Sequence, residues 1–147
     1  MVILRLLSDK KFRNSKPTKC YRNWRGRISQ LTALKNVYIP KAIIIGDYAF
    51  QNCKGLTSVD LSSVTDIGTH AFDCCDDLTS IVLPNMETIG SYMFYGCKNL
   101  TFIDLPEITT TVGSAFAGCI GITSIDLKNV TTLDNYVFEN CSIYQQL

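Results

Sequence analysis

Seven cysteines and one histidine are the residues of this 147-residue chain best suited to chemistry. Five of the cysteines, Cys53, Cys75, Cys97, Cys119 and Cys141, stand 22 residues apart. Thiolates can ligate a metal, pair as disulfides or act as nucleophiles. Tetrahedral zinc, however, needs ligands that converge, commonly as close Cys pairs. Cysteines one repeat apart project side by side along a row, and parallel side-chain vectors make poor disulfides. A free cysteine packs as a small hydrophobe, so this column reads as buried, reduced thiols. Cys74 falls in a different column, with Asn52, Gly96, Gly118 and Asn140, and reads as more exposed. Together with Cys20 it is the thiol expected to react or crosslink. His70 shares its column with Tyr48, Tyr92, Ser114 and Tyr136 and reads as a surface residue of the convex side. Acyl transfer or acid–base catalysis on it would need an oriented partner, and no partner motif is readable. Nor is there a phosphate-cradling glycine loop. The chain reads as a non-enzyme, with no catalytic residue, cofactor or metal site to assign.

The same 22-residue spacing governs everything that positions those residues. The stretch Ile45–Asp66 (IGDYAFQNCKGLTSVDLSSVTD) recurs from Ile67, Ile89 and Thr111, and a truncated copy opens at Leu133. Phe50, Phe72, Phe94, Phe116 and Phe138 form one column. Leu56, Leu78, Leu100 and Ile122 form another, followed by Val59, Ile81, Ile103 and Ile125, and then by Leu61, Leu83, Leu105 and Leu127. A fixed period in this range is the signature of a solenoid, because one coil cannot bury its own apolar side and neighbours must cover it. Residues 23–44 read as a degenerate first repeat, with Ile28 where phenylalanine is expected.

Each repeat divides into two arms. The segment LTSVDL, with its equivalents LTSIVL, LTFIDL and ITSIDL, is β-branched and alternating, which predicts a short strand. One full repeat separates equivalent strands, so they must pair in parallel. Pro40, Pro84 and Pro106 follow the last strand residue and end it, since proline cannot donate to a ladder. In the other arm Ala49, Phe50 and Cys53 share one face of a single helical turn, which predicts a short α- or 3-10-type turn or a bent extended piece. Thr111-Val112 replaces Ile-Gly in the fourth copy, so an altered bend is expected there.

Charge separates the two ends of the chain. The net charge is +1, yet residues 1–30 hold nine Lys/Arg against Asp9 alone, while residues 31–147 hold five Lys and twelve acids. Residues 1–30 read as a basic N-terminal cap or tail, and residues 31–147 as the repeat solenoid. A short helix over Ile3 to Phe12 is expected in the basic segment. The split suits an anionic partner for that segment, or a segment that folds against its own acidic body. No stretch reaches the length of a membrane span, and MVILRLLSDKKF makes a poor signal peptide.

The pattern Cys75, Leu78, Ile81, Leu83, Pro84, Ile89, Gly90, Met93, Phe94, Cys97 resembles the BspA-like, or Treponema pallidum-type, leucine-rich repeat. The resemblance covers about residues 31–144. It departs from the pattern at Met93 and Val137 for Ala, Ser62 and Lys128 for Pro, and Thr111-Val112 for Ile-Gly. The resemblance implies an α/β repeat solenoid, a right-handed curved stack with its parallel sheet on the concave face. It also implies a surface or secreted protein that adheres to host proteins, host cells or other microbes, and it carries no catalytic motif.

The outward strand positions of that concave face are the expected binding surface. Thr57, Thr79, Thr101 and Ser58, Ser80, Ser124 form ladders that suit strands for structural reasons alone. Tyr38, Val82 and Phe102 interrupt them, and exposed aromatics often anchor interfaces. Asp60, Asp104 and Asp126 add a negative field that favours a basic partner. The expected function is therefore protein interaction or adhesion through this face, with a host or cell-surface protein among the partners the resemblance implies. A structural role by self-association through open solenoid ends is the alternative. Nucleic-acid or anionic-glycan binding by residues 1–30 is the third reading, and nucleic acid is not a favoured partner.

Overall fold

A computed structural model describes residues 2–5, 23–24, 30–39 and 41–145. In chain order its strands are β1 (Val2–Arg5), β2 (Asn23–Trp24), β3 (Leu34–Tyr38), β4 (Ile44–Ile45), β5 (Ser58–Val59), β6 (Asp66–Ile67), β7 (Ser80–Val82), β8 (Thr88–Ile89), β9 (Phe102–Asp104), β10 (Thr110–Thr111) and β11 (Thr132–Leu133). Every observed pairing is parallel. Val37 faces Val59, Ile81 faces Ile103 and Ile45 faces Ile67, so the sequence period becomes the hydrogen-bonding register.

The strands form two rows rather than one. The first row is the predicted one, with sheets β1-β3-β5 and β7-β9. The second, β2-β4-β6 and β8-β10-β11, includes in β4, β6 and β8 the Ile of each Ile-Gly pair and the residue before it, where the sequence placed no strand. Thr88-Ile89 and Thr110-Thr111 are β-branched pairs, a signal too short for a period-two pattern to register. ITSIDL departs in the opposite sense, because residues 122–127 form no strand. Ile125 and Leu127 of this segment are only half-buried.

Of the alternatives for the IGDYAFQNC arm, a regular helix does not form; the arm is a bent run of four-residue turns. Ala49, Gln51 and Cys53 donate their N–H groups to the carbonyls of Gly46, Tyr48 and Phe50. The alternate N–H groups of Tyr48, Phe50 and Asn52 donate across to Thr69, Ala71 and Asp73 of the next coil. A helix would turn all these donors inward; this alternation gives half of them to the stack. It requires left-handed backbone, found at Tyr48 (φ 58°), Asn52 (φ 58°), His70 (φ 56°), Cys74 (φ 57°) and Tyr92 (φ 55°). Asn52, Cys74, Gly96, Gly118 and Asn140 all have positive φ, which explains why Gly and Asn dominate that column. The expected change in the fourth copy is present: the positive φ moves from the Tyr92 position to Gly113 (φ 59°). Among the described residues the one helix is the 3-10 turn Ser142–Gln145.

The core lies between the two rows. Phe50, Phe72, Phe94 and Phe116 are fully buried, and successive rings stack 5.2 to 5.6 Å apart as far as Phe138. Ile143 of the terminal 3-10 turn packs against this core. At the other end β1 pairs with β3, through an irregularity between Val2 and Ile3, and β2 pairs with β4. Strand at Val2–Arg5 overturns the helix expected from Ile3; the rest of that expectation, with Ile28, Pro40 and Cys20, lies outside the described residues.

Candidate functional site

On the outer face of the first row, the structure places Tyr38, Val82 and Phe102 at 46%, 44% and 56% exposure, and Asp60, Asp104 and Asp126 are exposed as well. Ser80 pairs with Phe102 and Val82 with Asp104, so Val82, Phe102 and Asp104 occupy adjoining positions on two neighbouring strands. Tyr38 is bordered on its other side by the β1 backbone, paired at Arg5. The hydroxyl rows between these residues are occupied structurally. Thr57 donates to the Lys35 carbonyl at 2.9 Å, Thr101 to the Thr79 carbonyl at 3.3 Å and Ser58 to Asn36 Oδ1 at 2.6 Å.

The three aspartates are not equivalent, and the difference follows from the residue two places on. Asp60 Oδ1 accepts the Ser62 N–H at 3.0 Å, and Asp126 Oδ1 accepts the Lys128 N–H at 3.0 Å. These are Asx turns, one following β5 and the other ending the strand-free segment 122–127. Contacts from the Ser62 side chain and N–H hold Asp60 below the ordinary carboxylate range. The Lys128 N–H and side chain do the same for Asp126, with the ammonium 3.2 Å from Oδ2. Asp104 is followed by Pro106, which has no N–H to offer. Among the described residues nothing bonds the Asp104 carboxylate. Sequence reasoning treated the three as one column; the signal that separates them is Asp-Leu-Pro against Asp-Leu-Ser and Asp-Leu-Lys.

The thiol column is buried, and each sulfur has a defined partner. Cys75, Cys97, Cys119 and Cys141 donate S–H to the carbonyls of Phe50, Phe72, Phe94 and Phe116 at 3.0 to 3.3 Å. Burial pushes the Cys75 and Cys97 thiols well up, away from the reactive thiolate. Cys74 is more exposed than the column thiols, as its column suggested. Desolvation and the neighbouring Asp73 carboxylate push it up to about 11. No group of three potential ligands is placed to hold a metal among the described residues.

His70 is less isolated than its sequence context suggests. Its ring lies between Tyr48 and Tyr92, with centroids 5.1 and 4.6 Å away and planes within 8° and 1° of parallel. Its Nδ1 is 3.0 Å from Asp73 Oδ2, which also accepts Gln51 Nε2 at 3.0 Å. The partner expected to be missing is therefore three residues away. Tyr95 stands beside Tyr92 at 5.7 Å with a 59° tilt.

Two parallel strand rows joined by leucine-lined turns, repeated every 22 residues without a gap, define a leucine-rich-repeat fold. The sequence matches the family model of the BspA type leucine rich repeat region in six copies over residues 29–144, and the chain belongs to that family. The family is a repeat scaffold associated with protein interaction and is typically non-catalytic. The structure is similar to a crystal structure of a leucine-rich repeat protein from Bacteroides ovatus ATCC 8483, with a TM-score of 0.59 and 31% identity. The match covers 70% of this chain and 30% of that one. No match was found among curated proteins. No helix among the described residues is long and apolar enough to cross a membrane.

Proposed function

We propose that this chain is a non-catalytic protein-interaction module that binds a partner segment through the outer face of its first strand row, the concave face of a curved solenoid. One observation carries the reading. Asp104 is the single aspartate of its column with no capping duty, and it adjoins exposed Val82 and Phe102. An unpaired carboxylate beside two apolar side chains matches a segment that pairs a Lys or Arg with an apolar residue. Phe102 supplies the anchor and Asp104 the charge. Tyr38 extends the face, and Asp60 and Asp126 contribute field while holding their turns. Residues 1–30 serve as the N-terminal cap of residues 31–147 in this reading, and adhesion to a cell-surface protein is its biological form.

The test is a peptide-library selection against the intact chain, followed by affinity measurement on variants. Enriched peptides should carry a basic residue next to an apolar one. Phe102→Ala and Asp104→Lys should each weaken them by about 1–2 kcal/mol, the loss expected of an interface anchor. Enriched peptides that bind both variants as tightly as the parent chain would show that this face is not the site.

A further inference from the structure

The connection from the first strand row to the second keeps one length through four coils and departs from it in another. Tyr38 and Ile44, Asp60 and Asp66, Val82 and Thr88, and Asp104 and Thr110 are each six residues apart. β1 and β2 stand at the equivalent places, since Arg5 pairs with Tyr38 and Asn23 with Ile44. Arg5 and Asn23 are eighteen residues apart, so the connection there is twelve residues longer than the fold requires. The extra length is basic: residues 6–22 hold Lys10, Lys11, Arg13, Lys16, Lys19 and Arg22 against Asp9 alone. It also contains Lys11-Phe12-Arg13, an aromatic residue between two cations.

We propose that Lys11-Phe12-Arg13 occupies the outer face of the first strand row in cis, so that a partner binds by displacing it. The inference rests on that face being a binding site and names the segment that holds it when no partner does. Chemistry is the first support. The face offers exposed Val82 and Phe102 beside Asp104, whose carboxylate nothing bonds among the described residues. The run offers an aromatic anchor flanked by cations, the complement of that arrangement. Reach is the second. Arg5 is aligned with the outward column Tyr38, Asp60, Val82 and Asp104, which puts it four coil spacings, about 19 Å, from Asp104. Phe12 is seven residues past Arg5 and can lie up to about 24 Å from it. The eleven residues back to Asn23 span up to about 37 Å, more than the diagonal of about 28 Å made by four coils and one six-residue crossing. Tyr21-Arg22, another aromatic–basic pair, is held within two residues of Asn23 at the second row and cannot make the journey. A segment joined to the site by so few residues is present at about millimolar effective concentration. An intrinsic affinity of about 0.1 mM then fills the face roughly nine-tenths of the time and weakens a competing partner about tenfold.

The experiment compares the intact chain with its Lys11→Ser/Phe12→Ser/Arg13→Ser variant and runs the peptide selection on both. Peptides that lose affinity in Phe102→Ala and Asp104→Lys should bind the triple variant about tenfold more tightly than the parent chain. With fluorinated phenylalanine incorporated, the Phe102 signal, assigned by Phe102→Leu, should move in the triple variant. Millimolar acetyl-Lys-Lys-Phe-Arg-amide should then return it toward its parent position, which separates release of the face from misfolding. Equal affinity of those peptides for both chains, an unmoved Phe102 signal, or a signal the added peptide does not restore overturns the inference and leaves the face standing as a site. Peptides indifferent to Phe102→Ala and Asp104→Lys overturn the face and this inference together. A dimer by light scattering that becomes a monomer in the triple variant places the segment on a second copy and overturns the contact in cis.

Discussion

The coil of residues 89–110 and the coil of residues 111–132 fill the same place in the repeat by different means. The first begins with Ile89, fully buried, and Gly90; the second begins with Thr111, equally buried, and Val112. Left-handed backbone falls at Tyr92 in one and at Gly113 in the other, where a Cβ would come within 2.7 Å of the Ser91 hydroxyl. LTFIDL forms β9, while ITSIDL forms no strand. Yet Phe94 and Phe116 stack at 5.5 Å, and Cys119 reaches the Phe94 carbonyl as Cys97 reaches that of Phe72. The inner columns tolerate a coil whose local pattern has drifted. Stability therefore resides in the phenylalanine, cysteine and leucine columns, and the entry to each coil is where variation is absorbed.

The sharpest break of that comparison is at the shared column. Phe94 has a stacked ring on both sides, whereas Phe138 has Phe116 on one side only. Phe94→Ala should cost about 3–5 kcal/mol, because rigid neighbours above and below leave a cavity that cannot collapse. Phe138→Ala should cost clearly less, as should Tyr48→Ala on the surface ladder. Chemical denaturation of the three variants checks this. Equal losses would mean that the column is not the element holding the coils together.

A second test separates the two coil entries. Thr111 Oγ1 is buried without a hydrogen-bond partner. A buried polar group left unpaired costs about 1–3 kcal/mol, so Thr111→Val, which keeps the shape and removes the hydroxyl, should stabilise by about that amount. In a domain of this size the melting temperature should rise by roughly 2–4 °C per kcal/mol. Ile89→Thr should lower it. A fall in Thr111→Val would show that the hydroxyl is satisfied in solution.

The period, the buried columns and the parallel first row were legible because each depends on residue type at a fixed spacing. The second strand row was not, because two residues per coil leave no alternation to detect. The form of the turn arm stayed open because Ala49, Phe50 and Cys53 at i, i+1 and i+4 suit a helix and a bent run of four-residue turns equally. What decides between them is the carbonyl set of the next coil, a tertiary partner absent from any local pattern. At the candidate face, Tyr38, Val82 and Phe102 stood out by type, but the division among the aspartates did not. It rests on whether the residue two places on has an N–H.

The smallest expected effect bears on the column that both coils share without strain and the coil before them does not. Gly96 and Gly118 adopt φ of 67° and 75° at little cost, and Asn52 and Asn140 are the side chains that best tolerate this region. Cys74 occupies the same backbone state at φ 57° with neither advantage. Cys74→Asn should stabilise by about 0.5–1 kcal/mol, part of the penalty an ordinary L-residue pays there. Gly118→Cys should destabilise by a comparable amount. Thermal melts of both variants under reducing conditions measure the pair. If Cys74→Asn destabilises, the thiol's packing beside Gly96 outweighs its backbone strain, and the Asn/Gly preference of this column reflects packing between coils more than φ.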